Sequence, residues 1–299
     1  MSLNLATIPL KSARDYPDSP ALLIGSVTVT YQQLAQQISS FAEVLIQQGL
    51  SQGDHVALFL PSVPQFTVSY CGALAVGGVV IPLNVLFTEE EIAYHLNDSD
   101  AKAIVVWDAF LDKTLAAAKN TACEKIIVCR SADSTIELPE MCLDFNVLLQ
   151  SAIKDDLGAQ FEQFEIVPTN ADDTAVILYT SGTTGRPKGA ELTHFNLYDN
   201  ARYVAEKMMR TQPDVLNVFS PGHVALAALP LFHSFGQTVI QNAFLMHGAA
   251  ISLLPRFTPE DAATLIHAHQ VTFFAGVPTM YIGLLHDPSA VSYTHLTLP

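Results

Sequence analysis

Four short apolar runs recur along the first half of the chain with helix-length stretches between them: VALFL (56–60), VVIPL (79–83), AIVVW (103–107) and KIIVC (125–129). Such runs carry no polar alternation, so neither face of the strand meets water. That is the mark of a parallel sheet, whose strands need a helical crossover between them. The rhythm resumes with TAVILYTSG (174–182), VALAALPLF (224–232), AAISLLP (249–255) and VTFFAGVP (271–278). It prescribes an α/β chain of layered, mainly parallel sheets with helices on both faces.

The helices between the runs can be read locally. Tyr31, Leu34, Ile38, Phe41 and Leu45 recur at three- and four-residue spacing, which predicts an amphipathic helix over 31–48. Thr30 is placed to cap its start and Gly49 to stop it. Val56–Thr88 carries no Asp, Glu, Lys or Arg, yet Pro61, Pro64, Pro82 and the Gly77-Gly78 pair leave no uninterrupted apolar run long enough to span a bilayer. Strand, helix, strand is the expected reading, all buried. The polar stretch 151–173 reads as a connector between lobes of about 1–170 and 171–290. The N-terminus lacks a basic segment followed by an apolar core, so no signal peptide is expected.

Composition narrows the function. With 49% hydrophobic and 14% charged residues over 299 positions, the chain is not disordered. Fourteen bases against 29 acids give a net charge of −15, which excludes general nucleic-acid binding. The acid concentrates early: residues 1–171 hold 20 acids and 8 bases, residues 172–299 hold 9 and 6, so an anionic ligand is better placed in the second half. Cys71, Cys123, Cys129 and Cys142 form no CxxC pair, which suits isolated thiols in a reducing, cytoplasmic setting. His267 and His269 are two apart on a helix, a poor metal pair, and no metal ligand is expected on residues 1–299.

The most informative segment is Tyr179-Thr180-Ser181-Gly182-Thr183-Thr184-Gly185-Arg186-Pro187-Lys188-Gly189, directly after the buried strand Ala175–Leu178. Glycines let backbone N–H groups converge on an anion, hydroxyls add uncharged donors, and Lys188 adds one mobile positive charge. Those are the parts of a polyphosphate site. It is not a Walker A loop: the order is Lys-Gly rather than Gly-Lys-Ser/Thr, and Pro187 disfavours helix at Arg186.

YTSGTTGRPKGAELTH (179–194) resembles the signature of the adenylate-forming enzymes, which include acyl-CoA synthetases, aryl-CoA ligases, luciferases and the adenylation domains of peptide synthetases. The resemblance runs from about Tyr16 to Asp287, through YPDSPALL, GDHVALFLPSVPQF, GALAVGGVVIPLN and EEEIAYHLNDSDAKAIVV; LPLFHSFGQT and FFAGVPTMY look most like bacterial fatty acyl-CoA ligases. It implies a large, incomplete N-terminal AMP-binding domain of an enzyme that joins a fatty acid to ATP and passes the acyl group from the adenylate to CoA. Mg²⁺ is implied with ATP.

By the same resemblance Thr180, Ser181, Gly182, Thr183, Thr184 and Lys188 would hold the ATP phosphates, with Thr184 and Lys188 acting in catalysis, while Gly185 and Gly189 would serve loop geometry. His233, with Phe232 and Phe235, falls beside the family's acyl pocket, and Gly276, Val277 and Pro278 border it; taken alone, His233 reads as a satisfied histidine in a buried turn. Arg256 is the last base of the chain and stands where the CoA-ligase branch has a basic residue associated with CoA; it reads equally as a surface arginine ending a strand. Other readings of the chain are an adenylation enzyme loading a carrier protein or using an aryl acid, and a non-catalytic nucleotide- or acyl-binding module. Partners are small molecules, with no nucleic acid, no transmembrane segment and peripheral membrane contact left open.

The family's second Thr-Glu signature, which holds Mg²⁺ and the adenylate, its ribose aspartate, its hinge and its mobile C-terminal domain with a catalytic lysine have no counterpart on residues 1–299. Val291–Pro299 departs from the family and resembles one reading frame of a transposon-derived sequencing adaptor, so the native sequence is expected to end near Ala290 and the fragment to be inactive by itself.

Overall fold

The computed structural model describes residues 2–152, 164–180, 186–210 and 218–287. Ser181–Gly185 of the signature and the Val291–Pro299 tail therefore lie outside the described residues.

Two sheets form. The larger runs β7(Cys142–Asp144)-β6(Lys125–Cys129)-β5(Ala101–Trp107)-β3(His55–Phe59)-β4(Val79–Pro82)-β8(Thr174–Thr180)-β9(Lys188–Thr193). All of its pairings are parallel except β8 with β9. The smaller runs β12(Phe273–Phe274)-β10(Val224–Ala227)-β11(Ala250–Leu253)-β1(Pro20–Ile24)-β2(Val27–Thr30), parallel except for the β1–β2 hairpin.

Side-chain alternation along the strands separates the layers. Val56, Leu58 and Leu60 of the β3 region join Ala225, Ala227, Ile251 and Leu253 of the second sheet in one apolar core between the sheets. The intervening layer contains α1(Thr7–Asp15), α2(Tyr31–Gln47), α3(Pro64–Ala75), α6(Phe145–Ala152) and the helix His194–Arg210. Ala57 and Phe59 point the other way, onto α4(Glu89–Asp98) and α5(Leu111–Ala118). Leu226 and Ala228 likewise pack outward onto the helices Pro259–Ala268 and Pro278–His286. Residues 56–83 of the uncharged stretch are mostly buried strand, helix and strand, whereas 84–88 turn outward and leave Leu86 83% exposed; among the described residues no helix is long and apolar enough to cross a membrane.

The sheets do not divide at residue 170. The β1–β2 hairpin crosses to the second sheet, Leu22 pairing with Ile251, while β8 and β9 complete the first. Strand pairing is long-range, so a polar connector in the sequence need not mark a boundary in space. His269 ties β11 to the β1–β2 turn, its Nδ1 pairing with Ser252 Oγ at 2.7 Å and its Nε2 with the Gly25 carbonyl at 2.8 Å. All four cysteines are buried free thiols.

Helix α2 begins at Thr30 with a reciprocal cap: Thr30 Oγ1 accepts from Gln33 N–H at 3.2 Å, and Gln33 Oε1 accepts from Thr30 N–H at 2.9 Å. Gly49, with φ +86°, takes the left-handed conformation that stops the chain beyond it. Thr30→Ala should lower stability by about 1 kcal/mol, read from the urea midpoint at unchanged slope.

The N-terminal segment is held by a neutral histidine. His194 is buried, its Nδ1 accepting from Leu5 N–H at 3.1 Å. Burial pulls its pKa from 6.5 to about 4. The folded chain then binds one proton fewer than the unfolded chain between those values. This residue's contribution is full above about pH 6.5 and is lost as pH falls toward 4, at about 1.4 kcal/mol per pH unit. His194→Asn keeps an acceptor but does not titrate, so unfolding titrations of the two proteins should converge as pH falls through that window.

Candidate active site

Thr180 ends β8, Lys188 begins β9, and the two are direct cross-strand partners. Lys188 is exposed, and neither Lys188 nor Arg256 pairs with an acid among the described residues. Ser181, Gly182, Thr183, Thr184 and Gly185 lie in the undescribed segment between these ends. Gly189 needs space rather than loop geometry: it sits within β9, where a Cβ would meet Ile177 Cγ2 at 2.7 Å and the Tyr179 ring at 3.3 Å.

Beside Thr180 lies a cleft of about 520 Å³ whose walls include Asn84, Glu91, His95, Thr180, Phe232 and His233. Its position follows from topology. β4 and β8 are parallel, so Pro82 and Thr180 stand at the same, carboxyl end of the first sheet. The turn after β10 brings Pro230–His233 in from the second sheet, held where Leu231 N–H donates to Ser62 Oγ at 3.2 Å. Carboxyl ends of strands are where open α/β sheets take ligands.

His233 is exposed at this cleft, its ring 4.7 Å from that of buried Phe232. Surrounding protein lowers its pKa, favouring the neutral ring. It therefore does not sit in a buried turn. After it comes a π-helix, Gly236–Asn242. A π-helical turn is uncommon and is often found at functional sites. Phe235 is 42% exposed at the start of this turn, outside the cleft lining.

The other expected residues stand apart from the cleft. Arg256 is exposed beyond the carboxyl end of β11, and Gly276–Pro278 follow β12, with Val277 and Pro278 exposed. Since β10, β11 and β12 are parallel, these residues share the sheet end from which His233 comes. Gly276 N–H donates to Tyr281 Oη at 3.1 Å, and that hydroxyl donates to the Phe274 carbonyl at 3.2 Å, which fixes the turn.

Two groups that sequence reasoning missed lie on α4. Tyr94 Oη donates to the Pro187 carbonyl at 2.8 Å, and Asp98 accepts from Tyr179 Oη at 2.7 Å. Burial, then Asp98, pushes the Tyr179 hydroxyl well above the ordinary tyrosine range. His95, 1% exposed, packs face to face with Phe87 at 4.6 Å and edge-on to Tyr179 at 4.3 Å. Its Nδ1–H donates to the Glu91 carbonyl at 2.5 Å, and burial lowers its pKa. The one signal for these residues was their presence in EIAYHLND, inside the matched stretch. Among the described residues no three His, Cys, Asp or Glu side chains gather to hold a metal ion.

Residues 10–297 match the family described as AMP-binding enzyme. The long-chain-fatty-acid–CoA ligase of Bacillus subtilis (strain 168) is 31% identical across 97% of this chain and 53% of its own length. 4-Coumarate–CoA ligase 3 of Arabidopsis thaliana is 31% identical across 97% of this chain and 49% of its own. Among solved structures, ATP-bound MatB from Rhodopseudomonas palustris superposes with a TM-score of 0.77 at 29% identity, over 97% of this chain and 52% of that one. The chain belongs to the AMP-binding enzyme family, and its layered sheets are those of the family's N-terminal domain. It spans about half the length of the curated relatives it matches.

Gly236 is the residue on which the His233 turn depends. A Cβ there would lie 2.2 Å from the Pro230 carbonyl oxygen, a backbone atom. Gly236→Ala should destabilise by about 2 kcal/mol in urea unfolding, as overpacking of a fixed backbone does.

Proposed function

We propose that this chain is the nucleotide- and acid-binding part of an AMP-forming acid–thiol ligase that activates medium- or long-chain fatty acids. The observation that carries the reading is that Thr180, at the head of the signature, and His233, from the other sheet, line one cleft at the strands' carboxyl ends. Phe87, Leu178 and Phe232 give that cleft apolar wall, which suits an alkyl chain better than a charged one.

In the proposed reaction a carboxylate oxygen of the acid attacks the α-phosphorus of ATP. The bond to the β-phosphate breaks, and pyrophosphate leaves. The CoA thiolate then attacks the acyl carbon, expelling AMP. Thr180 and Lys188, with Ser181–Gly185 between them, are assigned to the β- and γ-phosphates, where they would hold the leaving pyrophosphate and neutralise its charge. Thr184 keeps a proposed catalytic role with Lys188. Phe235, Gly276, Val277 and Pro278 are assigned to the acyl side beside His233, and Arg256 to CoA. Mg²⁺ would accompany ATP, but the described residues supply no cluster for it, and no step is assigned to it. The free buried thiols suit a cytoplasmic setting.

An aryl acid is the second reading of the substrate, favoured by the 31% identity to a 4-coumarate–CoA ligase. Competition between palmitate, octanoate and 4-coumarate in thioester formation by the full-length parent decides between them. This chain by itself should bind nucleotide weakly and give little ATP–pyrophosphate exchange; exchange at the rate of a complete ligase would contradict that. In the full-length parent, Lys188→Ala should lower kcat/KM for ATP by about 100-fold, the scale of one lost electrostatic donor to developing charge. Unchanged thioester formation would remove Lys188 from its assigned role.

A further inference from the structure

At the tip of the described part of the β8–β9 hairpin, Tyr179–Thr180 and Lys188, the ladder to β4 has already stopped, although Ile177 is still packed in the core with Ile81 and Leu83. β4 pairs with β8 only at Val80↔Val176, and β4 ends at Pro82, which has no N–H to extend the ladder. Ile177–Thr180 therefore project beyond the last pairing to β4 and are held by β9. β9 is an edge strand, and its residues 188–191 are exposed.

One face of α4 reaches both rails of this tip. Tyr94 and Asp98 are four residues apart, so they lie side by side on the helix. Tyr94 Oη donates to the Pro187 carbonyl, next to Lys188, at 2.8 Å. Asp98 Oδ2 accepts from Tyr179 Oη, next to Thr180, at 2.7 Å, a hydrogen bond strengthened by the carboxylate charge. Asp98 Oδ1, 3.4 Å from Tyr94 Oη, is a more distant alternative acceptor for the same hydroxyl proton. Edge-on ring contacts of His95 with Tyr94 at 5.4 Å and Tyr179 at 4.3 Å hold both tyrosines in place before any ligand arrives. At its other end α4 is capped by Thr88 and Glu91, each bonding the other's backbone N–H, so the helix presents a fixed platform.

We propose that Tyr94 and Asp98 are positioning residues that hold Thr180 and Lys188 in the register needed to grip a nucleotide's phosphates. This rests on the assignment of those two residues to ATP. Neither Tyr94 nor Asp98 touches nucleotide in this scheme; each acts through the backbone or side chain beside a phosphate-binding residue.

The test uses Tyr94→Phe and Asp98→Ala in this chain, with Asp98→Asn as the conservative variant that keeps an acceptor oxygen. Tyr31→Phe is the control, because the Tyr31 hydroxyl makes a comparable 2.7 Å bond to the Ala249 carbonyl far from the hairpin. Hydrogen–deuterium exchange of 176–180 and 188–193 reads the hairpin, and ligand-observed NMR titration with ATP reads affinity. Tyr94→Phe and Asp98→Ala should speed exchange in those two segments and weaken ATP binding by roughly 3- to 10-fold, the range one lost hydrogen bond gives. Asp98→Asn should fall between Asp98→Ala and wild type. Tyr31→Phe should lower thermal stability without moving either readout. Unchanged hairpin exchange in both variants overturns the clamp, whatever happens to ATP. Faster exchange with unchanged ATP affinity overturns the positioning role. A wild-type chain with no measurable ATP affinity overturns the nucleotide assignment itself, and exchange then reports only the mechanical half of the clamp.

Discussion

Helix α3 is enclosed by protein along almost its whole length: ten of its twelve residues, Phe66 through Ala75, are buried. A helix apolar all round must be covered on every side, and two sheets with a shared helical layer between them achieve that. Gly72 makes the fit with α2 close, since a Cβ there would meet Phe41 Cδ1 at 2.8 Å and the Ile38 carbonyl at 3.3 Å. Polar groups inside this layer reach across it, as where Thr67 Oγ1 donates to Gln241 Oε1 of the π-helix at 2.8 Å. The common core holds the two sheets to each other, and the relation between Thr180 and His233, one from each sheet, depends on it.

That coupling explains why the cleft lies where it does. Loops must run on the surface because their backbone groups need water or partners. The carboxyl ends of β4 and β8 and the turn after β10 converge because their sheets are packed on one layer. His233 reaches the cleft because Pro230–Gly236 is a compressed turn that only glycine permits at its last position. Lys113 contributes from outside: its ammonium donates to the Val85 and Phe87 carbonyls at 3.1 and 3.0 Å and lies 4.7 Å from the Phe59 and Phe110 rings. It thereby fixes the segment that carries Asn84 and Phe87 into the cleft wall.

What could be read from the residues follows a physical division. Features encoded by near neighbours were legible: the buried strands from their unbroken apolar runs, the start of α2 from Thr30, its stop from Gly49. Features encoded by distant neighbours were not. Nothing in Pro20–Thr30 announces that it will pair with Ala250–Leu253 rather than with the strands that follow it. Tyr94 and Asp98 are not singled out, because their partners lie 93 and 81 residues away in sequence. Gly189 illustrates a subtler limit. The sequence marks it as a glycine in a phosphate-loop motif, but whether it serves backbone freedom or space is decided by the Tyr179 ring across the hairpin.

The net charge of −15 raises the matter of how an acidic chain could hold an anion. Charge acts locally within about a Debye length, roughly 8–10 Å at physiological salt, and is screened less where protein displaces water. Lys11, Lys102, Arg130 and Arg202 each pair with a carboxylate, so their charge is committed to structure. Arg186, Lys188 and Arg256 have no acid partner among the described residues; the first two stand where the chain enters β9, and Arg256 follows a strand of the second sheet at its carboxyl end. An unpaired cation is more available to a phosphate than a paired one, which must first give up its carboxylate. Their exposure leaves these bases open to a ligand, and neutral donors such as the Thr180 hydroxyl add attraction without adding repulsion elsewhere. The sign of the whole molecule is thus compatible with an opposite sign at one end of its sheets.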